Sequence, residues 1–305
     1  MNKVGYIYDE VFLLHEPPVW HPDSPDRLLS INSFLKSAGL WDKLVPIKPR
    51  KASVEELSLV HAAAHIDAVR DLGAGEIDPD TYASINSFEA ASCAAGAVME
   101  AVEQCRNNVL RRVFCAVRPP GHHAEADRAM GFCLFNNIAV GARYAQRIGY
   151  NKVFIVDFDA HHGNGTQHIF EEDDSVFYFS THQYPYYPET GKDMDRGRGK
   201  GEGYTYNVPI LAGSGNKDYL AVYQDILPGV VQRFGPDIIL VSAGYDIHAN
   251  DPSANIRVTH EGIHGIVRSI LTSADVPMVF VLEGGYDLPS LCDSVKITIE
   301  EMMRT

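Results

Sequence analysis

Two aspartates and a histidine at alternate positions form the spacing with the clearest chemical meaning in the chain. Asp157, Asp159 and His161 follow the apolar run VFIV, where a buried strand would end. In extended chain, residues at i, i+2 and i+4 point to one side, so two carboxylates and an imidazole would converge. Buried carboxylates repel each other and lose hydration unless a cation lies among them. The triplet therefore predicts either a metal site or a metal-free carboxylate–histidine pair.

Asp246 favours the metal site. It follows a second apolar run, DIILVS, and would add a ligand if the two strands are neighbours in space. Two carboxylates and one imidazole leave a coordination position open, as catalytic zinc sites require. Oxygen-rich ligand sets also bind Fe²⁺ and Mn²⁺, so the pattern favours zinc and leaves those two metals open.

Two adjacent histidines follow a third apolar run. His122 and His123 come after Pro-Pro-Gly, a turn that can present both rings to one pocket. The ordinary pKa of histidine, about 6.5, suits a general acid and a general base near neutral pH. Asp157 would raise the pKa of one ring through a hydrogen bond, whereas the neutral Asn164 would leave the other ring less basic.

A tyrosine follows the fourth apolar run. Met278–Leu282 leads into Glu283, Gly284, Gly285 and Tyr286. The two glycines allow the chain to pass close to a substrate. A tyrosine hydroxyl held there would donate to a developing oxyanion, an interaction that typically contributes about 2.7–4 kcal/mol to the transition state. Because three other predicted strands also end in polar clusters, this role is favoured over a purely structural turn.

Apolar runs and helical periodicity predict the elements that position these residues. Six strands are predicted, at Gly5–Tyr8, Val113–Val117, Val153–Phe158, Val176–Ser180, Asp237–Ser242 and Met278–Leu282. Nine helices are predicted, at Pro25–Ser37, Ser53–Leu57, Ala63–Leu72, Ser84–Asn107, Asn136–Ile148, Gly165–Glu171, Lys217–Phe234, Thr259–Ala274 and Leu288–Met303. This alternation is typical of a doubly wound parallel sheet, in which ligands bind outside the carboxyl ends of the strands.

Composition narrows the classes of function. The chain has 305 residues, with 26 Lys+Arg against 40 Asp+Glu and a formal net charge of −14, which argues against a nucleic acid partner. No apolar stretch approaches the roughly 18–20 residues of a membrane helix, so no membrane partner is expected. The five cysteines form no CxxC pair. They predict reduced thiols in a cytoplasmic protein rather than a disulfide framework or a Cys-based zinc site.

Five motifs together resemble the zinc-dependent histone deacetylase family, which includes bacterial acetylpolyamine amidohydrolases and acetoin-utilisation-type proteins. They are RPPGHHA at 118–124, GFCLFNN at 131–137, DFDAHHGNG at 157–165, SAGYD at 242–246 and EGGYD at 283–287. With HPDSPDRL at 21–28, the resemblance spans nearly the whole chain in the family's motif order. It implies the α/β arginase/deacetylase fold, an eight-stranded parallel sheet between helices, and a single deacetylase catalytic domain over residues 1–305.

The resemblance also implies a role for each motif residue. Asp159, His161 and Asp246 become the ligands of one zinc ion, and Tyr286 polarises the substrate carbonyl. His122 and His123 become the paired active-site histidines, with Asp157 and Asn164 behind them respectively. Arg27 matches an arginine of an inner channel behind the metal. Substrate contacts are implied for Gly131, Phe132, Tyr187, Ser253 and Gly285. Potassium sites are implied around Asp157, Asp159, His161, Ser180 and Thr181, and around Phe170, Asp173, Val176 and Tyr204.

Two departures from the family pattern affect the expected chemistry. Asn164 replaces the aspartate of some members, resembles the class II branch and makes His123 the neutral general base. Ser253 stands at a rim position where many members have leucine and polyamine-selective members have an acidic gatekeeper. A serine supplies no anion for a distal ammonium, which weakens a polyamine specificity. Other candidate anions are Glu16, Asp23 and Asp80.

The resulting prediction is a zinc-dependent amidohydrolase that removes acetyl or other short acyl groups from lysine Nε in proteins or peptides, using zinc-activated water. Its partner would be an acetylated lysine side chain or a small acetylated amine. The alternatives are an acetylpolyamine or other small-molecule deacylase, a non-catalytic acyl-lysine-binding protein, and an arginase-like ureohydrolase that uses a pair of manganese ions.

Overall fold

An eight-stranded parallel sheet forms the centre of the protein, in a computed structural model that describes residues 2–305. The strands are β1 (Val4–Ile7), β2 (Val45–Ile47), β3 (Gly75–Asp78), β4 (Thr81–Ala83), β5 (Arg112–Cys115), β6 (Val153–Asp157), β7 (Val176–Gln183), β8 (Thr205–Ile210), β9 (Ile238–Ala243) and β10 (Met278–Leu282). The main sheet has the order β2-β1-β5-β10-β9-β6-β7-β8, and β3 and β4 form a separate antiparallel pair.

Helices cover both faces of the sheet. They are α1 (Asp26–Ser37), α2 (Val54–Leu57), α3 (Ala63–Asp71), α4 (Ser87–Arg106), α5 (Asn137–Arg147), α6 (Asn164–Phe170), α7 (Asn216–Ala221), α8 (Leu227–Phe234), α9 (His260–Thr272) and α10 (Leu288–Arg304). A π-helical turn, Val222–Ile226, joins α7 to α8. One helical group is built on the contact of α4 with α5, and another places α10 between α1 and α9. Within residues 2–305, no helix combines the length and apolar character needed to cross a membrane.

The central strands are buried over their whole length because they are covered by helices on each side. Every residue of β5, β6, β9 and β10 is buried, and these four strands are consecutive neighbours in the sheet. Burial of this kind removes about 25 cal/mol per Å² of apolar surface from water, so the apolar runs that predict the strands also stabilise them. The predicted α/β arginase/deacetylase fold, a single domain with a parallel sheet between helices, is confirmed.

The predicted elements differ from the observed ones mainly at the sheet edges. All six predicted strands belong to the main sheet, but the edge strands β2 and β8 and the β3–β4 pair were not among them. The helix predicted over Lys217–Phe234 consists of α7, the π-helical turn and α8.

Candidate active site

The polar clusters that follow β5, β6, β9 and β10 meet at one edge of the sheet, as predicted, because these strands are parallel neighbours. A cavity of about 220 Å³ opens there. Its walls are formed by Pro22, Asp80, Pro120, His122, His123, Gly131, Phe132, Asp159, His161, Tyr186, Tyr187, Ser253, Gly284 and Tyr286.

Asp159, His161 and Asp246 converge beside this cavity. One ligand atom from each lies within 4.8 Å of the others, and both carboxylates are buried. His161 Nδ1 is 3.1 Å from Asp159 Oδ1 and 2.9 Å from Asp246 Oδ2. Asp157, the first residue of the predicted triplet, ends β6 and points elsewhere. The three converging groups could hold one metal ion and leave a coordination position facing the cavity.

The electrostatics of this cluster fit a bound cation. Burial and the neighbouring Asp159 carboxylate raise the pKa of Asp246 to about 7. Burial opposes the charged form of His161, yet its hydrogen bonds to the two carboxylates raise its pKa well above the ordinary value. Both shifts favour protonation of the cluster, so the two buried carboxylates require positive charge beside them. A divalent metal would supply that charge, so the residues present fit the metal that the sequence predicts.

Glycine is required at position 284 because the backbone comes very close to the cluster. The Gly284 N–H donates to Asp159 Oδ2 at 2.9 Å. A Cβ at this position would overlap the carboxylates of Asp159 and Asp246. The first of the two predicted glycines therefore allows the chain to approach the two candidate metal ligands and to donate a hydrogen bond to one of them.

His122 is held by the buried carboxylate of Asp157. Its Nδ1 lies 3.0 Å from Asp157 Oδ2, which also accepts a hydrogen bond of 3.0 Å from the Tyr178 hydroxyl. Burial disfavours the charged ring, but Asp157, Asp159 and Glu283 together raise the pKa of His122 to about 10. His122 is therefore the cationic member of the pair at neutral pH.

His123 has the opposite character. Its Nδ1 lies 2.8 Å from Asn164 Oδ1, and its ring centroid is 4.1 Å from that of His122. Burial and the charges of His122 and His161 lower the pKa of His123 well below the ordinary value. Two adjacent histidines thus acquire different charges because one is backed by a carboxylate and the other by an amide.

Glu283 fixes the turn that bears the histidine pair, a role that the sequence did not assign to it. Its Oε2 accepts from the N–H groups of Gly121 at 2.7 Å and His122 at 3.2 Å, and its Oε1 accepts from the Ser242 hydroxyl at 2.9 Å. Burial raises its pKa to about 7. The sequence feature that could have indicated this role is an acidic residue placed directly after the buried strand β10 and before the two glycines.

Aromatic rings form much of the cavity wall. The Phe132 ring lies 6.0 Å from the Tyr286 ring, edge to face, and the Tyr187 ring lies 5.3 Å from the His123 ring. Phe132 has φ 68 and Gly131 has φ 58, so two consecutive residues adopt the left-handed conformation. A bulky residue is rare there, and such strain is concentrated at functional sites.

Polar groups also line the cavity. Asp80 Oδ1 accepts from the Gly131 N–H at 3.0 Å and from the Thr81 hydroxyl at 2.8 Å. The Tyr186 hydroxyl donates to the Ser253 carbonyl at 2.9 Å. Ser253 lines the cavity as the sequence predicts, and Tyr186 lines it without having been predicted. Asp80 places a carboxylate on the wall, within reach of a cationic ligand.

Three sequence-based expectations differ from the structure at the cavity. Gly284 lines the wall, whereas the carbonyl of Gly285 accepts a hydrogen bond of 2.8 Å from Arg27 Nε. Asp23 was a candidate anion for a distal ammonium, but it is fully buried against arginines and is not part of the wall. Glu16, the other such candidate, is exposed and also lies outside the wall.

Arg27 belongs to a buried ionic network behind the cluster. Asp23 Oδ1 accepts from Arg27 Nη1 and from Arg118 Nε, each at 2.8 Å. Arg27 also donates to the carbonyls of Gly285 and Glu283, and its guanidinium carbon lies 5.0 Å from the centre of the Tyr286 ring. The network fixes the chain that follows β10, which includes the predicted catalytic tyrosine.

Asp23→Ala is expected to lower the free energy of unfolding by about 3–5 kcal/mol, because two guanidinium groups would remain buried without their shared carboxylate. Arg27 and Arg118 are both 0% exposed, so water cannot take the place of the lost carboxylate. Urea unfolding would measure the loss. Asp26→Ala, at an exposed position on α1, is the control, and its free energy of unfolding should change by no more than about 0.5 kcal/mol. A parent-like stability for Asp23→Ala would contradict this prediction.

The residues implied in potassium binding lie beside β6 and β7. Ser180 pairs with Asp157 across the two strands, and its hydroxyl lies 2.9 Å from His182 Nδ1. The carbonyls of Phe170 and Tyr204 each accept one backbone hydrogen bond, which leaves each oxygen a second lone pair. Potassium binding at either place remains a prediction.

The fold and the site together define a class of protein: an α/β domain with a cavity at its strand ends, beside which lie a histidine pair and three side chains that could hold one metal ion. Comparison with known proteins agrees with this class. The family model of the histone deacetylase domain matches residues 21–302. The chain therefore belongs to the histone deacetylase family, as its motifs predict.

Individual relatives support the same assignment. The chain is 40% identical to histone deacetylase 5 of Arabidopsis thaliana, over 99% of this chain and 49% of that protein. It is 36% identical to the polyamine deacetylase HDAC10 of Homo sapiens, over 95% of this chain and 46% of that protein. The crystal structure of the HDA15 HD domain superposes with a TM-score of 0.95 and 39% identity, covering 99% of this chain and 91% of that one. The chain spans about half the length of the first two of these relatives.

Proposed function

We propose that the protein is a zinc-dependent deacylase that hydrolyses the amide of an acetylated or short-acylated lysine Nε in a protein or peptide. The observation that supports this most strongly is the meeting of Asp159, His161 and Asp246 with the histidine pair and Tyr286 around one cavity. We further propose that residues 1–305 act as one catalytic domain in the cytoplasm, that Fe²⁺ can replace zinc, and that potassium binds at the two places described above.

The three ligands would hold one Zn²⁺, a Lewis acid that polarises a carbonyl and lowers the pKa of water from about 15.7 toward about 7. The protein's own residues then position the groups and move the protons. His123 is the neutral ring and accepts the proton of the attacking water at Nε2, because its Nδ1 is engaged by Asn164. The same ring then returns a proton to the departing amine.

The other two side chains stabilise negative charge. His122 is cationic through its pairing with Asp157 and remains charged throughout. Burial raises the pKa of Tyr286 well above the ordinary value, so its hydroxyl keeps its proton and donates to the carbonyl oxygen. Phe132 and Tyr187 flank the linear stem of the acyl-lysine and exclude water from it.

A second candidate substrate is an acetylated polyamine or another small acylated amine. The Asp80 carboxylate on the cavity wall favours it, since a carboxylate attracts a distal ammonium group. Ser253 at the rim supplies no such charge. An acylated peptidyl lysine therefore remains the preferred substrate. Asp80→Asn would distinguish the two candidate substrates, because it should lower kcat/KM for an acetylated polyamine and not for an acyl-lysine peptide.

Steady-state kinetics tests the proposal directly. The zinc-loaded protein is assayed with acyl-lysine peptides of increasing chain length and, in parallel, with acetylputrescine. We expect the highest kcat/KM with a short acyl-lysine peptide. A preference for acetylputrescine would favour the polyamine alternative, and peptide binding without turnover would favour a non-catalytic acyl-lysine-binding protein. Two manganese ions per chain on metal analysis would favour a ureohydrolase.

A further inference from the structure

Glu125 lies behind Asn164, on the side away from His123. Asn164 Nδ2 donates to Glu125 Oε1, while Asn164 Oδ1 lies 2.8 Å from His123 Nδ1. On its other side, Glu125 accepts from His168 Nδ1, at 2.9 Å to Oε1 and 3.1 Å to Oε2. The side chain of Glu125 is 8% exposed and that of His168 is 40% exposed. A chain of hydrogen bonds thus connects the candidate general base to the protein surface.

This arrangement determines which way the Asn164 amide points. An amide has an accepting and a donating side of nearly equal shape, whereas an ionised carboxylate only accepts. Glu125 therefore requires Nδ2 on its side, which turns Oδ1 toward the His123 ring. A longer contact of 3.3 Å from Nδ2 to the His123 carbonyl favours the same orientation. The amide oxygen also only accepts, so the ring proton of neutral His123 must be on Nδ1, and Nε2 keeps its lone pair.

Other contacts keep Glu125 ionised and its backbone in place. Burial alone would raise the pKa of Glu125, but His168 and the Asn164 hydrogen bond lower it below the ordinary value. The Glu125 N–H donates to the Arg128 carbonyl at 3.0 Å, and the Glu125 carbonyl lies 3.0 Å from His61 Nδ1. A change confined to the carboxylate therefore leaves the loop with its anchors.

We propose that Glu125 is a positioning residue which, through Asn164, holds His123 in the Nδ1-protonated tautomer. This is the tautomer that a general base acting through Nε2 requires. The role rests on the proposed function, because the tautomer matters for turnover only if His123 accepts a proton during hydrolysis. The tautomer itself can be measured without turnover, so the two proposals can fail separately.

The first test is the tautomer in Glu125→Gln. A glutamine can offer Asn164 either an acceptor or a donor, so only the longer contact with the His123 carbonyl still favours one amide orientation. In ¹⁵N NMR of the zinc-loaded protein with labelled histidine, the His123 signals are expected to change from Nδ1-protonated to a mixture of both tautomers. His123→Gln, which lacks these signals, provides their assignment.

The second test is kinetic. Glu125→Gln is expected to lower kcat by about 10–100-fold while KM stays near the parent value, since the substrate does not contact Glu125. Glu261→Gln, the same chemical change at an exposed position on α9, is the matched control with parent-like kcat. Zinc content and the thermal unfolding midpoint are measured on each variant, so that a loss of fold or of metal is distinguished from a tautomer effect.

The third test reverses the sign of the effect. Asn164→Asp would place two carboxylates in hydrogen-bonding contact, so repulsion or an added proton should lower kcat. Adding Glu125→Gln to Asn164→Asp supplies an amide donor to the new carboxylate and should restore kcat several-fold. The same substitution thus lowers activity beside asparagine and raises it beside aspartate. A residue that only fills space would give losses in both backgrounds.

The outcomes separate the two proposals. A mixed tautomer in Glu125→Gln supports the positioning role even if no acyl-lysine peptide is hydrolysed by the parent, a result that would overturn only the proposed function. An active parent whose Glu125→Gln variant keeps the tautomer and kcat would overturn the positioning role. Additive losses in the Asn164→Asp background would overturn it as well.

Discussion

Tyr286→Phe is expected to lower kcat by about 10²–10³-fold while the protein keeps its fold and its zinc, since one hydrogen bond to the developing oxyanion is worth that much in comparable sites. The ring would stay in place without its hydroxyl. The Tyr286 N–H donates to Asp251 Oδ2 at 2.6 Å, and the ring contacts Phe132 and the Arg27 guanidinium. None of these contacts uses the hydroxyl.

Steady-state kinetics with an acyl-lysine peptide measures this loss, and metal analysis with circular dichroism verifies zinc and fold. Tyr206→Phe is the matched control, because Tyr206 lies on the edge strand β8 and stacks on Phe179 with ring centroids 5.5 Å apart. It removes the same hydroxyl group from a residue outside the cavity wall and should leave kcat unchanged. Parent-like turnover in Tyr286→Phe would remove the oxyanion role from the mechanism.

The central strands could be predicted from sequence because burial on both faces leaves a continuous apolar run, as VFIV of β6 illustrates. The edge strands could not be predicted in this way. β2 has three residues, none of them buried, and β8 mixes buried with half-buried residues and contains Pro209. Edge strands are stabilised by pairing with one neighbour, so their register depends on tertiary contacts that a local pattern does not contain.

The same distinction applies to the site. That Asp157 and Asn164 would each back one ring of the histidine pair could be predicted, because parallel strands bring their carboxyl ends together. The pairing of Asp157 with His122 and of Asn164 with His123, which the structure contains, was implied by the family resemblance. The partners of buried acids could not be predicted. Asp23 is an acidic residue of the kind that could lie at a cavity rim, yet it is enclosed by Arg27 and Arg118. Arg118 is 95 residues away in sequence. The hydrogen-bond donors that a buried carboxylate meets are set by the tertiary fold, not by nearby sequence.

Asp246→Ala is expected to abolish stable zinc binding and, with it, turnover, and it tests the assumption on which the proposed chemistry depends. Two ligands remain in the variant, and Asp246 is the only one of the three contributed by the segment after β9. Its loss also removes one buried negative charge from the cluster, so the electrostatic demand for a cation falls.

Zinc per chain after exhaustive dialysis measures the result, together with the thermal shift on adding zinc. A metal that binds the native state at 1,000 times its Kd adds about 4.1 kcal/mol to the free energy of unfolding, so the parent should be stabilised by zinc and Asp246→Ala should not. Asp225→Ala, at an exposed position in the π-helical turn, is the control that should keep both zinc and the shift. One zinc ion retained per chain in Asp246→Ala would contradict the assigned ligand set, because a cluster of this geometry cannot hold the ion tightly with one carboxylate and one imidazole.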